Sequence, residues 1–149
     1  MAGAANPTDQ ASVDQLAQEW LRVATVLNGH HAHEDRFCDP LIRRHAPDLR
    51  DELENAHRVS RDTIAGLTKL FSDLPQLSTS ANASLARIYR GLSDFTATYQ
   101  GHLRFEEEQV MPALNAALSN DELAEVTMTI RMSVRLQKCV YSFATWRRL

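Results

Sequence analysis

Between Val13 and Leu41 the apolar positions recur in steps of three and four: Val13, Leu16, Trp20, Val23, Leu27, then His30, Glu34, Phe37 and Leu41. That spacing lays one face of a helix against a core. His30 and Glu34 take two positions of the stripe where core residues belong. Ser12 with Gln15 makes a capping box for the start, and Asn6-Pro7 offers an earlier one. Pro47 disfavours helix at Ala46, so this element is expected to end near Arg44 or His45, with Pro40 bending it on the way.

Pro47-Asp48 opens a second helix whose stripe reads Leu49, Leu53, His57, Ser60, Ile64, Leu67, Phe71 and Leu74. His57 again sits among apolar neighbours. Glu34 lies about 11 residues before the turn and His57 about 10 after it. At ~1.5 Å per residue both stand roughly 15 Å from that end, level in an antiparallel hairpin. Residues 72–82 hold turn formers and read as a loop. A third helix follows with stripe Leu85, Ile88, Leu92, Phe95, Tyr99, His102, Glu106, then Gln109 or Val110, and Ala113. Pro112 should bend it or remove a hydrogen bond near its end.

Ser119-Asn120-Asp121-Glu122 is a capping box for a fourth helix over 120–149, which carries no His, Asp or Glu after Glu125. The pattern predicts an all-α, up-down-up-down four-helix bundle forming one domain over residues 1–149, with 1–6 frayed.

Composition narrows the class. The net charge of -3 comes from interleaved signs, so no basic footprint for nucleic acid appears. No apolar run approaches the ~20 residues that span a membrane. Cys38 and Cys139 are the two cysteines, and without a secretory leader they are expected as free thiols in a cytoplasmic protein.

The chemistry lies in a repeat. Gly29-His30 with Glu34 and Pro40 is echoed by Gly101-His102 with Glu106 and Pro112: Gly-His, three residues, Glu, five residues, Pro. His and Glu at i and i+4 share a helix face. One such pair can satisfy itself, and a lone core His is usually just hydrogen-bonded. Two pairs and His57, all on stripes at matching heights, are hard to explain as packing. Burying two carboxylates without a cation costs several kcal/mol or forces protonation. Mixed nitrogen and oxygen donors suit iron, manganese or zinc, and two carboxylates can bridge a pair of ions. The expected metal ligands are His30, Glu34, His57, His102 and Glu106.

His31 lies about 100° round the helix from His30 and His33 about 60° off, so each is expected partly exposed. His31 has reach to a neighbouring helix or the edge of a metal site; His33 is a candidate outer or substitute ligand. His45 reads as a cation at a helix C-terminus, Tyr99 as a core aromatic, Glu107 and Glu108 as a solvated edge, and Cys38 as a small filler.

On these residues the chain resembles the hemerythrin-like, or HHE cation-binding, family. The likeness rests on His30-His31-Ala32-His33-Glu34-Asp35 with Pro40, on Asn55-Ala56-His57, and on His102-Leu103-Arg104-Phe105-Glu106-Glu107 with Pro112-Ala113-Leu114, over roughly residues 20 to 125. It implies a four-helix bundle with a non-haem, usually oxo-bridged di-iron centre, in which Glu34 and Glu106 bridge the irons. It also implies a role in dioxygen binding, oxygen or iron sensing, nitric-oxide or peroxide chemistry, or repair of iron centres. Members of the family normally bring one more His on a helix ahead of the first His-Glu pair. Here the first 29 residues hold no histidine. The C-terminal helix is expected to fill that slot without giving a ligand, or two chains pair as a homodimer and exchange helices.

The function expected is binding or sensing of dioxygen or a related small oxidant at a di-iron centre. The alternative is a dimeric helical regulatory or interaction module with a partial or decayed metal site. A third reading is an enzyme consuming peroxide or nitric oxide.

Overall fold

The computed structural model describes residues 9–74, 81–129 and 131–132. They are helical almost throughout, and no strand occurs among them. Helix α1 (Gln10–Phe37) is capped by Asp9, not Ser12. The Asp9 carboxylate accepts from the Ala11 N–H at 3.2 Å, and the Ser12 hydroxyl donates to it. A carboxylate at the positive end of a helix outcompetes a hydroxyl one turn further in.

The buried face of α1 is Val13, Leu16, Trp20, Ala24 and His31. Val23, expected inside, is 38% exposed. The stripe steps from Trp20 to Ala24 and so reaches His31 rather than His30.

Pro40 does more than bend the first element. At Cys38 the chain leaves α1 and begins a short helix, α2 (Asp39–His45), with Pro40 in its first turn, where a missing N–H costs nothing. Asp39 accepts from Arg43 at 2.6 Å across that turn. The helix ends at His45 as Pro47 requires, and a 3-10 turn, Pro47–Leu49, leads into α3 (Arg50–Asp73). Leu53, His57, Ser60, Ile64, Leu67 and Phe71 of α3 are buried, the stripe read from sequence.

Helix α4 (Ala81–Phe105) passes into a π-helical turn, Glu106–Val110, and then α5 (Met111–Ala117). Met111 donates its N–H to the Glu106 carbonyl, five residues back. The extra residue in the turn selects Val110 over Gln109 for the core and carries the stripe on to Leu114. Pro112, lacking an N–H, sits just beyond, and π turns of this kind often occur at functional sites.

Helix α3 packs against both α1 and α4. Trp20 ties the three together: it stacks on Phe71 at 5.2 Å, meets Phe95 edge-on at 6.3 Å, and donates its indole N–H to Thr68 Oγ1 at 2.9 Å. Helix α4 comes close to α3 at Gly91, where an added Cβ would stand 2.9 Å from Leu67 Cδ2.

Two apolar clusters result. The larger joins Val13 to Ala24, Ile64 to Leu74, and Leu85 to Phe95; the smaller joins Ile42, Leu53, Val110, Leu114 and Leu118. In each helix, the histidines and glutamates of the repeat fall between them.

Helix α6 (120–129) starts at the expected capping box: Glu122 accepts from the Ser119 N–H at 2.9 Å, and Ser119 Oγ from the Glu122 N–H at 3.3 Å. Leu123 packs on the smaller cluster, while most of the remaining α6 positions are exposed. The expectation that the C-terminal helix fills a slot beside α1, α3 and α4 rests mostly on residues outside the described ones. The segment 1–6 expected to fray, the expected helix beyond 132 and Cys139 lie outside the described residues. No described helix is long and apolar enough to cross a membrane.

Candidate metal centre

One turn of α1, one residue of α3 and the junction of α4 with the π turn meet between the two clusters. Glu34, His57, His102 and Glu106 each offer a ligand atom there, and the four atoms lie within 4.8 Å of one another. His57 Nε2 stands 3.3 Å from Glu34 Oε2 and 3.7 Å from Glu106 Oε1; His102 Nε2 is 3.0 Å from Glu106 Oε1. His30 joins at the edge, its Nε2 3.1 Å from Glu34 Oε1 and its side chain 37% exposed. All five expected residues are thus in one neighbourhood, four at its centre and His30 on the rim.

The π turn has a direct part in this. It begins at Glu106, so the carboxylate follows His102 by one ordinary turn while the chain beyond is re-phased. Two side chains of adjacent turns then face the core at the same height as Glu34 and His57.

His57 is held from behind. Its Nδ1 donates to Asp35 Oδ1 at 2.9 Å, and Asp35 Oδ2 accepts from Arg61 at 2.8 Å. With Nδ1 committed, Nε2 faces the cluster. A carboxylate behind an imidazole is the usual way to fix tautomer and ring orientation at a metal.

Electrostatics follow from burial and the two glutamates. Burial alone would lower His57, but contacts with Glu106, Glu34 and Asp35 outweigh it and hold the imidazole up at about 10. Burial pulls Glu106 upward, while His102 and His57 pull harder and leave it at about 2. Burial raises Tyr99 to about 12, helped by the charges of Glu34 and Glu106, so this phenol keeps its proton. Protonated His57 is the cation that balances the carboxylates, in the place a metal would take.

The donors fit a metal better than they fit each other. His30 Nε2, His57 Nε2, His102 Nε2 and Glu34 Oε2 are buried and make imidazole–carboxylate contacts of 3.0–3.3 Å, yet none of these contacts has the geometry of a hydrogen bond. Buried polar atoms are nearly always paired, and several converging orphans need an explanation. Three imidazoles and two carboxylates are the donor set of a borderline to hard divalent ion.

Two residues gained importance beyond the sequence reading. Asp35 was visible only as an acid following a ligand. His31, expected partly exposed, is 1% exposed, and both its nitrogens lack partners. Burial, with the neighbouring His57, His30 and His102, pushes it down to about 4, so it is neutral. His33 turns away: its Nδ1 contacts the Gly29 carbonyl at 2.5 Å and its ring stacks on Phe37. Tyr99 packs on the larger cluster with its ring 5.7 Å from that of His102.

Comparison with curated proteins and with solved structures returns no match. The profile described as the hemerythrin HHE cation binding domain matches residues 2–129. With that match over most of its length, and a buried cluster of His and Glu to go with it, the chain belongs to the hemerythrin HHE cation-binding family.

Proposed function

We propose that this protein holds a non-haem di-iron centre on His30, Glu34, His57, His102 and Glu106 and uses it to bind or sense dioxygen or a related small oxidant such as peroxide or nitric oxide. The observation that carries the reading is the convergence of Glu34, His57, His102 and Glu106 within 4.8 Å. Reduced iron would supply the electrons and open coordination positions that such ligands need. Manganese or zinc would satisfy the same donors.

The chain's own groups prepare the site. Glu34 of α1 and Glu106 at the end of α4 both approach His57 of α3, and from there they would hold the metal. On loading, His57 gives up the proton at Nε2 and keeps the one at Nδ1, which Asp35 holds. The apolar clusters flank the site on two sides, while His30 leaves its rim open. Tyr99 stays neutral and adds no charge.

A second reading, a dimeric regulatory module with a partial metal site, draws on Leu21, Val26 and Tyr89, which expose apolar surface on α1 and α4. Metal analysis with an absorption spectrum of the purified protein decides between them. Two irons per chain with oxo-to-iron bands near the ultraviolet edge are expected. Protein that stays folded and dimeric yet takes up no iron, manganese or zinc would replace the first reading with the second, and steady peroxide turnover would make it an enzyme.

A further inference from the structure

Among the described residues His31 is the most completely buried imidazole, and nothing in the five-residue shell employs it. It is 1% exposed, and neither Nδ1 nor Nε2 has a hydrogen-bond partner. A core histidine with a packing role normally satisfies at least one nitrogen, because leaving a buried polar group unpaired destabilises the fold. An isosteric apolar residue would avoid that cost at this position.

Its neighbours supply the reason. The rings of His31, His57 and His102 form a triangle with centroid separations of 5.0 Å (His31–His57), 5.0 Å (His57–His102) and 5.9 Å (His31–His102). The His30 ring is 5.8 Å from His31. Imidazoles bound to one ion through nitrogens at ~2.1 Å place their ring centres roughly 4.5 to 5.5 Å apart. The triangle has nearly the dimensions of three imidazoles around a single cation, with α1, α3 and α4 each contributing one.

We propose that His31 is a sixth protein ligand of the metal centre, supplied by the residue next to His30 on the same turn of α1. The assignment rests on the metal-binding reading above and goes beyond its five residues. His30 and His31 then approach the centre from two sides of α1, His30 from the rim beside Glu34 and His31 from the core. Two adjacent residues diverge by about 100° on a helix, which suits ligation from two sides of one site.

The test compares wild type, His31→Phe, His31→Gln and His102→Ala, each stripped with chelator and titrated with Fe(II) without oxygen and with Co(II). Metal affinity, metal per chain, the visible spectrum of the Co(II) form and thermal midpoints with and without metal are the readouts. A ligand role predicts that both His31 variants lose about tenfold or more in affinity and change the Co(II) spectrum. It also predicts that metal-free His31→Phe melts no lower than wild type, since an orphaned imidazole has gone. His31→Gln serves the same comparison of affinity and spectrum should His31→Phe not fold. If both folded variants bind like wild type while His102→Ala does not, His31 is a packing residue and the five-residue shell stands. If wild type itself takes up no metal, the assignment falls together with the reading beneath it.

Discussion

His57 Nδ1 lies 2.9 Å from Asp35 Oδ1, joining α3 to the residue that follows Glu34 on α1. One helix therefore supplies both a carboxylate to the front of the imidazole and another to its back. Asp35→Ala should keep the fold, because Asp35 is half exposed. It should also lower metal affinity about 10- to 100-fold, the usual cost of removing such a partner. Competition against a chromophoric chelator would measure it; unchanged affinity would mean that the orientation of His57 is set by packing alone.

Metal and stability should move together. At free metal 100-fold above its dissociation constant, binding stabilises the fold by about 2.7 kcal/mol. Chelator should lower the thermal midpoint of wild type by several degrees, and His102→Ala should have lower metal content and a midpoint that chelator barely moves. A variant that retains full metal would show that the shell is wrongly drawn.

The metal-free protein should be most stable near pH 6.5. His57, held at about 10, stabilises fully below its ordinary 6.5, and that contribution drains away as pH rises towards 10. Glu106, held at about 2, stabilises above its ordinary 4.5 and loses that as pH falls towards 2. His31, pushed down to about 4, adds to the acid loss, since only the unfolded chain binds its proton between 6.5 and 4. Each limb changes by at most about 1.4 kcal/mol per pH unit per group. Urea midpoints of chelator-treated protein from pH 4 to 10 test the shape; a maximum above pH 9 would contradict it.

Cys38 should be a slow thiol. Burial, with the charges of Glu34 and Glu106, raises it to about 11, so little thiolate exists at neutral pH. Mass spectrometry of the Cys38 peptide after iodoacetamide should find it largely unmodified in folded protein and labelled in urea. Rapid labelling of the native chain would place it in a more open setting.

Two glycines should answer differently to alanine. Gly66 has open space around its Cβ position, so Gly66→Ala should stabilise α3 by about 0.5–1 kcal/mol. At Gly91 the new methyl meets Leu67 at 2.9 Å, and the overpacking, about 1–3 kcal/mol, should cancel or exceed the same helical gain. Denaturant midpoints would order the variants; equal gains would show that α3 and α4 separate easily at that point.

Much of this is legible in the sequence, and each miss has its own physical cause. The α3 stripe was read residue for residue because its apolar positions are large and regularly spaced. In α1 the apolar spacing favours Val23, whereas the core uses Ala24, whose small side chain carries little hydrophobic signal. That shift of one residue placed His30 in the core in place of His31. The π turn left only an indirect trace, Pro112, since an extra residue in a helix shows as a phase change rather than a composition. Asp35 could not be separated from other surface acids until its distance to His57 was known.

The layer of imidazoles and glutamates divides the hydrophobic interior into two parts, each small on its own. When a cation neutralises that seam, the parts are cemented and the molecule should melt as one unit. With the ion removed, the seam becomes a plane of weakness. The half built on Ile42, Leu53 and Leu114 should then loosen first, with its amides exchanging hydrogen at lower denaturant than those around Trp20 and Phe71. Metal supply would in this way govern how rigid one end of the protein is.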